Sequence, residues 1–236
     1  NGAQATGVDA TALGYSAGAS AGSVAVGSFA TADMGAASVA VGNLANAQSA
    51  QSVAVGTSAR AATGANATAI GYNAEAGQDA VALGSLAGAA GIASTALGSG
   101  ADSFGERSVS VGHQSSSSGE EAVAIGNSAQ ANAQHAIAIG SQASAANFSN
   151  IAIGQAASAD QVYSVAIGGD GGDIDTAGAT ASAAYTTAIG ADAAAQQIHA
   201  VALGYGSQAQ SARGTAIGSS TIVSGDSGTA VGINAK

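Results

Sequence analysis

The sequence contains no cysteine, no proline and no tryptophan. The absence of cysteine excludes disulfide cross-links, thiol catalysis and cysteine-based metal sites. Aromatic residues make up 3% and charged residues 8% of the 236 positions, although 47% of the residues are hydrophobic. An ordinary globular core of large side chains is therefore excluded. Since alanine buries little area, we expect the backbone to pack closely over a long contact, as it does in stacked repeats.

Positive charge is equally scarce. The only cations are Arg60, Arg107, Arg213 and Lys236, and the formal net charge is −10. A surface of this sign repels phosphates, so we expect no nucleic acid partner. No apolar run reaches the length of about 18 residues that a membrane-spanning helix needs, so we expect no membrane insertion. No signal peptide is visible and the first residue is asparagine, so we expect a fragment of a longer chain.

A four-residue pattern recurs along the whole chain: an aliphatic residue or threonine, a small residue, a branched aliphatic residue and glycine. It occurs sixteen times at nearly regular intervals, with one longer interval between Gly168 and Gly190. A unit of about 14 residues is too short for a helical hairpin repeat. The repeat glycines are Gly14, Gly27, Gly42, Gly56, Gly71, Gly84, Gly98, Gly112, Gly126, Gly140, Gly154, Gly168, Gly190, Gly204, Gly218 and Gly232.

The residues before each glycine predict a short strand. The residue directly before glycine is always leucine, valine or isoleucine, and the residue two positions earlier is always valine, isoleucine or threonine. Residues two apart lie on one face of a strand, where β-branched side chains pack well. The residue between them is alanine in fifteen copies and Ser110 in one. The opposite face of the strand is therefore apolar as well, but nearly flat.

A second strand follows each glycine, because alanine dominates the third and fifth positions after it. We predict an all-β fold, a parallel β-solenoid of about 16 coils, in which the bulky valine and isoleucine columns fill the interior against these alanines. The flat alanine column then faces outward and packs against other copies of the chain. This interpretation assigns the subunit-facing column to Ala25, Ala40, Ala54, Ala69, Ala82, Ala124, Ala138, Ala152 and Ala166.

Charged residues test these columns, since a charge inside the coil would contradict them. None lies in the four-residue pattern. We predict that the columns that carry them face outward. These residues are Asp9, Asp79, Arg107, Glu121, His135, His199 and Arg213, five positions before glycine, and Glu75 and Asp102, four positions after it.

The copies at residues 23–27, Ser-Val-Ala-Val-Gly, and 66–71, Asn-Ala-Thr-Ala-Ile-Gly, resemble the Asn-Ser-Val-Ala-Ile-Gly head repeat of the trimeric autotransporter adhesins, the YadA-like head. The resemblance covers essentially the whole chain. It implies a left-handed parallel β-roll and a homotrimer around a common axis. It also implies display on the extracellular face of a Gram-negative outer membrane, and attachment to host matrix proteins, cells or solid surfaces.

The chain departs from this family in three ways. The neck, the helical stalk and the C-terminal membrane anchor do not appear in it. The asparagine of the repeat is replaced in many copies by Asp, Gly, Gln, Arg, Glu, His or Tyr. Finally, we expect a single repeat domain over residues 1–236 to carry an insertion near residues 169–182.

The insertion carries Asp170, Asp173 and Asp175 on a glycine-rich segment. Carboxylates are ligands of hard cations, but their spacing fits neither an EF-hand nor the nonapeptide calcium repeat. We therefore expect no metal and no cofactor, and a solvated loop that offers an irregular contact surface.

Other reactive or aromatic side chains are few. The histidines His113, His135 and His199 have no nucleophile or carboxylate at a catalytic spacing, so we expect them to be solvated and the protein not to be an enzyme. Three tyrosines directly follow a repeat glycine, where they either anchor a partner or pack in the turn; they are Tyr15, Tyr72 and Tyr205.

We therefore interpret the chain as a non-catalytic adhesin head that binds through many weak contacts. The main alternative is a structural spacer or fibre segment that holds a separate binding tip away from the cell. An ice-binding solenoid would need a regular array of exposed threonines. The pattern instead scatters threonine and places it in the column expected to be buried, at Thr11, Thr68, Thr95, Thr187, Thr215 and Thr229.

Overall fold

The computed structural model describes residues 2–33, 36–61, 63–172 and 177–236. The chain divides into two compact units, residues 1–114 and 115–236. Each unit is a parallel β-solenoid in which a turn consists of a three-residue strand, a corner, a second strand of about two residues and another corner. The predicted all-β parallel solenoid, with one turn for each copy of the repeat, is confirmed.

The three-residue strands coincide with the residues that precede each repeat glycine, as predicted. In the first unit they are Thr11–Leu13, Val24–Val26, Val39–Val41, Val53–Val55, Thr68–Ile70, Val81–Leu83, Thr95–Leu97 and Val109–Val111. In the second unit they are Val123–Ile125, Ile137–Ile139, Ile151–Ile153, Val165–Ile167, Thr187–Ile189, Val201–Leu203, Thr215–Ile217 and Thr229–Val231.

The second strand occupies the fourth and fifth positions after the glycine in nearly every turn. In the first unit these strands are Gln4–Ala5, Gly18–Ala19, Thr31–Ala32, Glu75–Ala76, Gly88–Ala89 and Asp102–Ser103, and single bridges at Asn46 and Arg60 continue the ladder between them. In the second unit they are Ser116–Ser117, Gln130–Ala131, Ser144–Ala145, Ser158–Ala159, Thr180–Ala181, Ala194–Ala195, Gln208–Ala209 and Ile222–Val223.

Successive turns pair in parallel and in register, so that each residue lies beside its equivalent in the next copy. Ile137, for example, pairs with Ile151. The Ile137 backbone N–H donates to the Asn150 carbonyl at 2.8 Å, and the Gly140 N–H donates to the Ile125 carbonyl at 2.8 Å. A parallel ladder of this kind stacks the columns of the sequence into continuous rows of like side chains.

The expectation that the large aliphatic side chains fill the coil is wrong. The middle alanine of the strand points inward, and Ala124 is 0% exposed, whereas the flanking Ile125 is 37% exposed. The interior is built from four columns of small residues: this middle position, the residue before the strand, and the third and fifth residues after glycine. The nine alanines expected to face other subunits therefore lie inside the coil: Ala25, Ala40, Ala54, Ala69, Ala82, Ala124, Ala138, Ala152 and Ala166.

Polar side chains in this interior are mostly small, and most of them form hydrogen bonds, whereas the Ser94, Ser164 and Ser207 hydroxyls have no partner among the described residues. The Ser103 and Ser108 hydroxyls lie 2.7 Å apart. Asn150 is the largest fully buried side chain. Its Nδ2 donates to the Ala159 carbonyl at 2.6 Å, and its Oδ1 accepts from the Ser164 N–H at 3.2 Å. Asn150 thus bridges the two strands of a turn and the next copy without leaving its amide unsatisfied.

Most turns place non-glycine residues in the left-handed region at both corners. The positions are the fifth before glycine, as at Asn66 with φ 58°, and the second after it, as at Gln142 with φ 60°. This conformation costs about 1 kcal/mol for most residues, and asparagine tolerates it best. The asparagine of the repeat therefore suits the positive φ that this position requires. The other residues found in its column adopt the same φ at a higher conformational cost.

The repeat glycines have φ values of 125° to 148°, which residues with a side chain rarely adopt. They also stack directly on one another. A Cβ placed on Gly140 would lie 2.4 Å from the carbonyl oxygen of Gly154 in the next turn. Both the conformation and the close approach of the backbones require glycine here.

The insertion lies at a corner, directly after a three-residue strand. The interval from Gly168 to Gly190 is longer than the usual one, such as that from Gly140 to Gly154. The Ala179 N–H donates to the Gly168 carbonyl at 3.0 Å, as the third residue after glycine does in other turns, and Thr180 pairs with Ser158. The extra residues therefore lie between Gly168 and Ala179, and the register of the flanking strands is retained.

Replacing a repeat glycine tests the stacking of the turns. We expect Gly140→Ala to lower the free energy of unfolding by about 3 kcal/mol, because the new methyl group meets a carbonyl oxygen at a strained φ. Thermal unfolding followed by circular dichroism measures the effect. Gly225→Ala is the control, since a Cβ at Gly225 meets nothing within 4 Å. Equal losses for the two variants would contradict the role of the glycine column.

A larger side chain inside the coil tests the orientation of the strands. We expect Ala138→Leu to destabilise the protein by at least about 2 kcal/mol, because the interior has no room for a larger side chain. Gln134→Leu, on the exposed corner of the same turn, should leave the unfolding midpoint within about 1 °C of the unmodified chain. If both variants unfold like the unmodified chain, the alanine column does not face inward.

Candidate interaction surface

In each unit, the outward side chains of the three-residue strands form an aliphatic strip two residues wide. The strip consists of the first and third residues of every strand. Most of its side chains are half-buried, and several third residues are more than one third exposed, such as Ile70, Leu83, Ile125, Ile189 and Ile217. Monomeric proteins rarely expose a continuous apolar patch larger than a few hundred Å². This aliphatic strip is therefore the surface in each unit with the strongest tendency to be covered by another protein surface.

The other sheet presents a polar face. In all of its strands except the terminal Gln4–Ala5, the first residue points outward while the second is buried. The outward residues include a pair of opposite charge, Arg60 and Glu75, whose Nη1 and Oε1 atoms are 3.6 Å apart on adjacent turns. An exposed pair of this kind contributes little stability. The residues of this polar face are Gly18, Thr31, Asn46, Arg60, Glu75, Gly88 and Asp102 in the first unit, and Ser116, Gln130, Ser144, Ser158, Thr180, Ala194, Gln208 and Ile222 in the second.

The charged columns face outward, as predicted. Asp9, Asp79, Arg107, Glu121 and Arg213 are all exposed. Asp102 is half-buried, and desolvation raises the pKa of its carboxyl above the ordinary value. The surface charge of the described residues therefore lies at the corners and on the polar face, away from the aliphatic strips.

The threonines of the repeat are not buried, and the expectation that they are is wrong. They occupy the first position of the three-residue strands, which faces outward, so Thr68 and Thr95 belong to an aliphatic strip. In the first unit, Val81 lies between these two threonines in the ladder. Valines and isoleucines thus interrupt the threonine positions, and no regular threonine array of the kind that an ice-binding surface requires is formed by the described residues.

The three tyrosines that follow a repeat glycine are about half exposed. Tyr15, Tyr72 and Tyr205 are 54%, 59% and 51% exposed. Tyr15 contacts the ring of Phe29 edge-on, with the ring centroids 5.3 Å apart. Partial exposure of this kind agrees with both roles expected for these tyrosines, packing at the corner and contact with a partner.

A row of rings in contact with one another, here called the aromatic ladder, runs along one corner of the second unit. It consists of His135, Phe148, Tyr163, Tyr185 and His199, with successive centroids 5.2 to 5.5 Å apart. Four of its members occupy the column five positions before glycine, whereas Phe148 comes one residue earlier in its turn. Because of this offset, the sequence does not predict that Phe148 belongs to the aromatic ladder. Tyr163 and Tyr185 do share a column with His135 and His199, and that shared column was the available indication of the ladder.

The histidines are exposed, as expected. His135 Nε2 lies 3.3 Å from Glu121 Oε2, and both side chains are in contact with solvent. His199 stacks on Tyr185. His113 is also exposed.

The carboxylates around the insertion bond to backbone groups nearby. Asp170 Oδ1 accepts from the Gly172 N–H at 3.0 Å, and Asp192 Oδ1 accepts from the Gly171 N–H at 2.9 Å. Asp173 and Asp175 lie outside the described residues. Within the described ranges, no group of three or more His, Cys, Asp or Glu side chains is placed to hold a metal ion.

Within the same ranges, no helix has the length and apolar character needed to cross a membrane.

Comparison with known families agrees with the geometry of the repeat. The family model described as YadA head domain repeat (2 copies) matches residues 5–30, 20–43, 35–59, 62–77, 76–101, 105–129, 117–143, 151–170 and 195–221. A search of curated proteins gave no match. The matched segments include well over half of the chain and carry the parallel strands, the inward alanines and the stacked glycines described above. The chain therefore belongs to the YadA head repeat family, the head type of the trimeric autotransporter adhesins.

Proposed function

We propose that this chain is the head of a homotrimeric adhesin, displayed on the extracellular face of a Gram-negative outer membrane as part of a longer anchored chain. Its head attaches, without catalysis, to host matrix proteins, cell surfaces or solid surfaces. The observation that carries this proposal is the contrast between the two outer faces of each solenoid unit. One face is aliphatic and the other is polar and variable.

The aliphatic strips supply the contact between subunits. Their side chains come from consecutive strands in register, so each strip is continuous and two residues wide. Identical strips from several copies can meet around a common axis, which removes their apolar surface from water. Family membership supports three as the number of copies. In this arrangement the residues that contact other subunits are valine, isoleucine, leucine and threonine, and not the middle alanines of the strands that the sequence pattern suggested.

The polar face and the corners supply the attachment surface. They remain on the outside when the strips are covered, and their residues differ from turn to turn, as at Gln130, Ser144 and Ser158. In a trimer each of these contacts is present three times on a rigid scaffold. Weak contacts repeated in this way add up to strong attachment without any single deep site.

A charge in the aliphatic strip tests the assembly. We expect the unmodified chain to sediment at three times its mass of 21.7 kDa. Ile139→Glu should sediment mainly as a single chain, because a carboxylate in the covered strip loses its hydration without gaining a partner. Gln130→Glu, on the polar face of the same unit, should remain a trimer. A trimer in both variants, or a single chain in the unmodified protein, would exclude the strip as the interface.

Attachment is tested with the same proteins. We expect the unmodified chain to be retained on immobilised matrix proteins, glass or polystyrene at least about a hundredfold more strongly than Ile139→Glu, because only the trimer presents each contact three times. Gln130→Glu controls for the added charge. Retention is measured by surface plasmon resonance or by a quartz crystal microbalance. A trimer that is retained on none of these surfaces would indicate a spacer that carries a separate binding tip.

A further inference from the structure

The two tyrosines of the aromatic ladder lie on opposite sides of the insertion. Tyr163 belongs to the turn before it and Tyr185 to the turn after it. Their rings are stacked, with centroids 5.4 Å apart and an interplanar angle of 17°. The Tyr185 backbone N–H donates to the Val162 carbonyl at 3.1 Å, and Val165 pairs with Thr187 two residues further on. The aromatic ladder therefore holds the two phenol rings close together and nearly parallel, although the insertion separates their turns in the sequence.

We propose that Tyr163 and Tyr185 form a site of oxidative modification, at which a peroxidase and hydrogen peroxide join the two rings as a dityrosine. Each phenol loses one electron and one proton and becomes a phenoxyl radical. The radicals pair at the ring carbons next to the hydroxyls, forming one carbon–carbon bond. The hydrogen on each of these carbons then moves to the oxygen and restores the aromatic ring. Hydrogen peroxide accepts the two electrons and two protons and becomes two molecules of water.

The surroundings favour this pair over other tyrosines. Tyr163 and Tyr185 are 48% and 51% exposed, so an oxidant reaches both. Phe148 and His199 pack on their outer sides at centroid distances of 5.5 and 5.2 Å and limit the movement of the rings. Among the described residues, no other two tyrosine rings stack on each other. Two radicals formed here are already in contact, which raises their effective concentration far above that of separate molecules.

The column five positions before the repeat glycine, which carries both tyrosines, lies at a corner that stays in contact with water. At other turns of the second unit the same column carries Glu121 and Arg213, both exposed and charged. Burying these charges in an interface without partners would be costly. The ladder therefore remains open to an oxidant whether or not the aliphatic strip is covered, and the inference does not rest on the proposed function.

A dityrosine between Tyr163 and Tyr185 is a covalent cross-link that joins the turns on the two sides of the insertion. It closes the loop from Tyr163 to Tyr185, which contains the whole insertion. A cross-link of this kind restricts the unfolded chain, as a disulfide does, and so favours the folded state. We expect the cross-linked protein to unfold at a higher temperature than the untreated protein.

The test is oxidation of the purified chain with a haem peroxidase and hydrogen peroxide. Dityrosine fluorescence measures the yield, and mass spectrometry of the digested protein identifies the joined peptides by the loss of two hydrogen atoms. We expect one intrachain product between Tyr163 and Tyr185, formed in a yield that does not depend on protein concentration. In denaturant, where the rings are no longer stacked, this yield should fall at least about tenfold.

Substitution by phenylalanine keeps the stacking but removes the phenol. Tyr163→Phe and Tyr185→Phe should each lower the intrachain yield at least about tenfold. The matched control is Tyr205→Phe, because Tyr205 is equally exposed in the same unit but lies outside the ladder. It should leave the yield unchanged. Circular dichroism verifies that all three variants retain the fold. Dityrosine found only between chains, or an unchanged yield in Tyr163→Phe, would overturn the proposal.

Discussion

The narrow space between the two strands of each turn governs the rest of this structure. The side chains inside it are almost all alanine or serine, and asparagine and threonine are the largest that are completely buried. Tight corners in the left-handed conformation connect the strands and keep them close together. Apart from Val223 near the C-terminal end, the inward columns of the described residues hold side chains no larger than asparagine, and the valines and isoleucines of the three-residue strands lie on the outside.

A core of this kind supplies modest hydrophobic stabilisation, since each buried methyl group contributes only about 0.8 kcal/mol. The parallel ladders and the stacked glycines therefore carry much of the cohesion between turns, and each turn depends mainly on its neighbours. The apolar area that remains lies on the aliphatic strips. Folding of the single chain and its assembly with other copies are consequently linked, because the strips are covered only in the assembly.

The sequence predicted the period, both kinds of strand, the parallel register and the outward columns of charge. It did not predict which face of the three-residue strand points inward, because alternation separates two faces without identifying the inner one. The usual preference for burying large side chains selected the wrong face, as Ala138 and Ile139 illustrate. The aromatic ladder was also missed, since Phe148 reaches it from the neighbouring position. The limits of the insertion depended on the Ala179 hydrogen bond, which no sequence pattern reveals.

At the corner after the repeat glycine, the chain can be longer without any change in the pairing of the β-strands. Extra residues are added between Gly168 and Ala179, yet Ser158 still pairs with Thr180, and Val165 with Thr187. A loop at this corner lengthens one turn without displacing the strands on either side, at an entropic cost that rises slowly with its length. Additional residues can thus be inserted at this corner in any single turn of a solenoid of this type. Surface diversity arises there by insertion as well as by substitution, while the stacked interior stays the same.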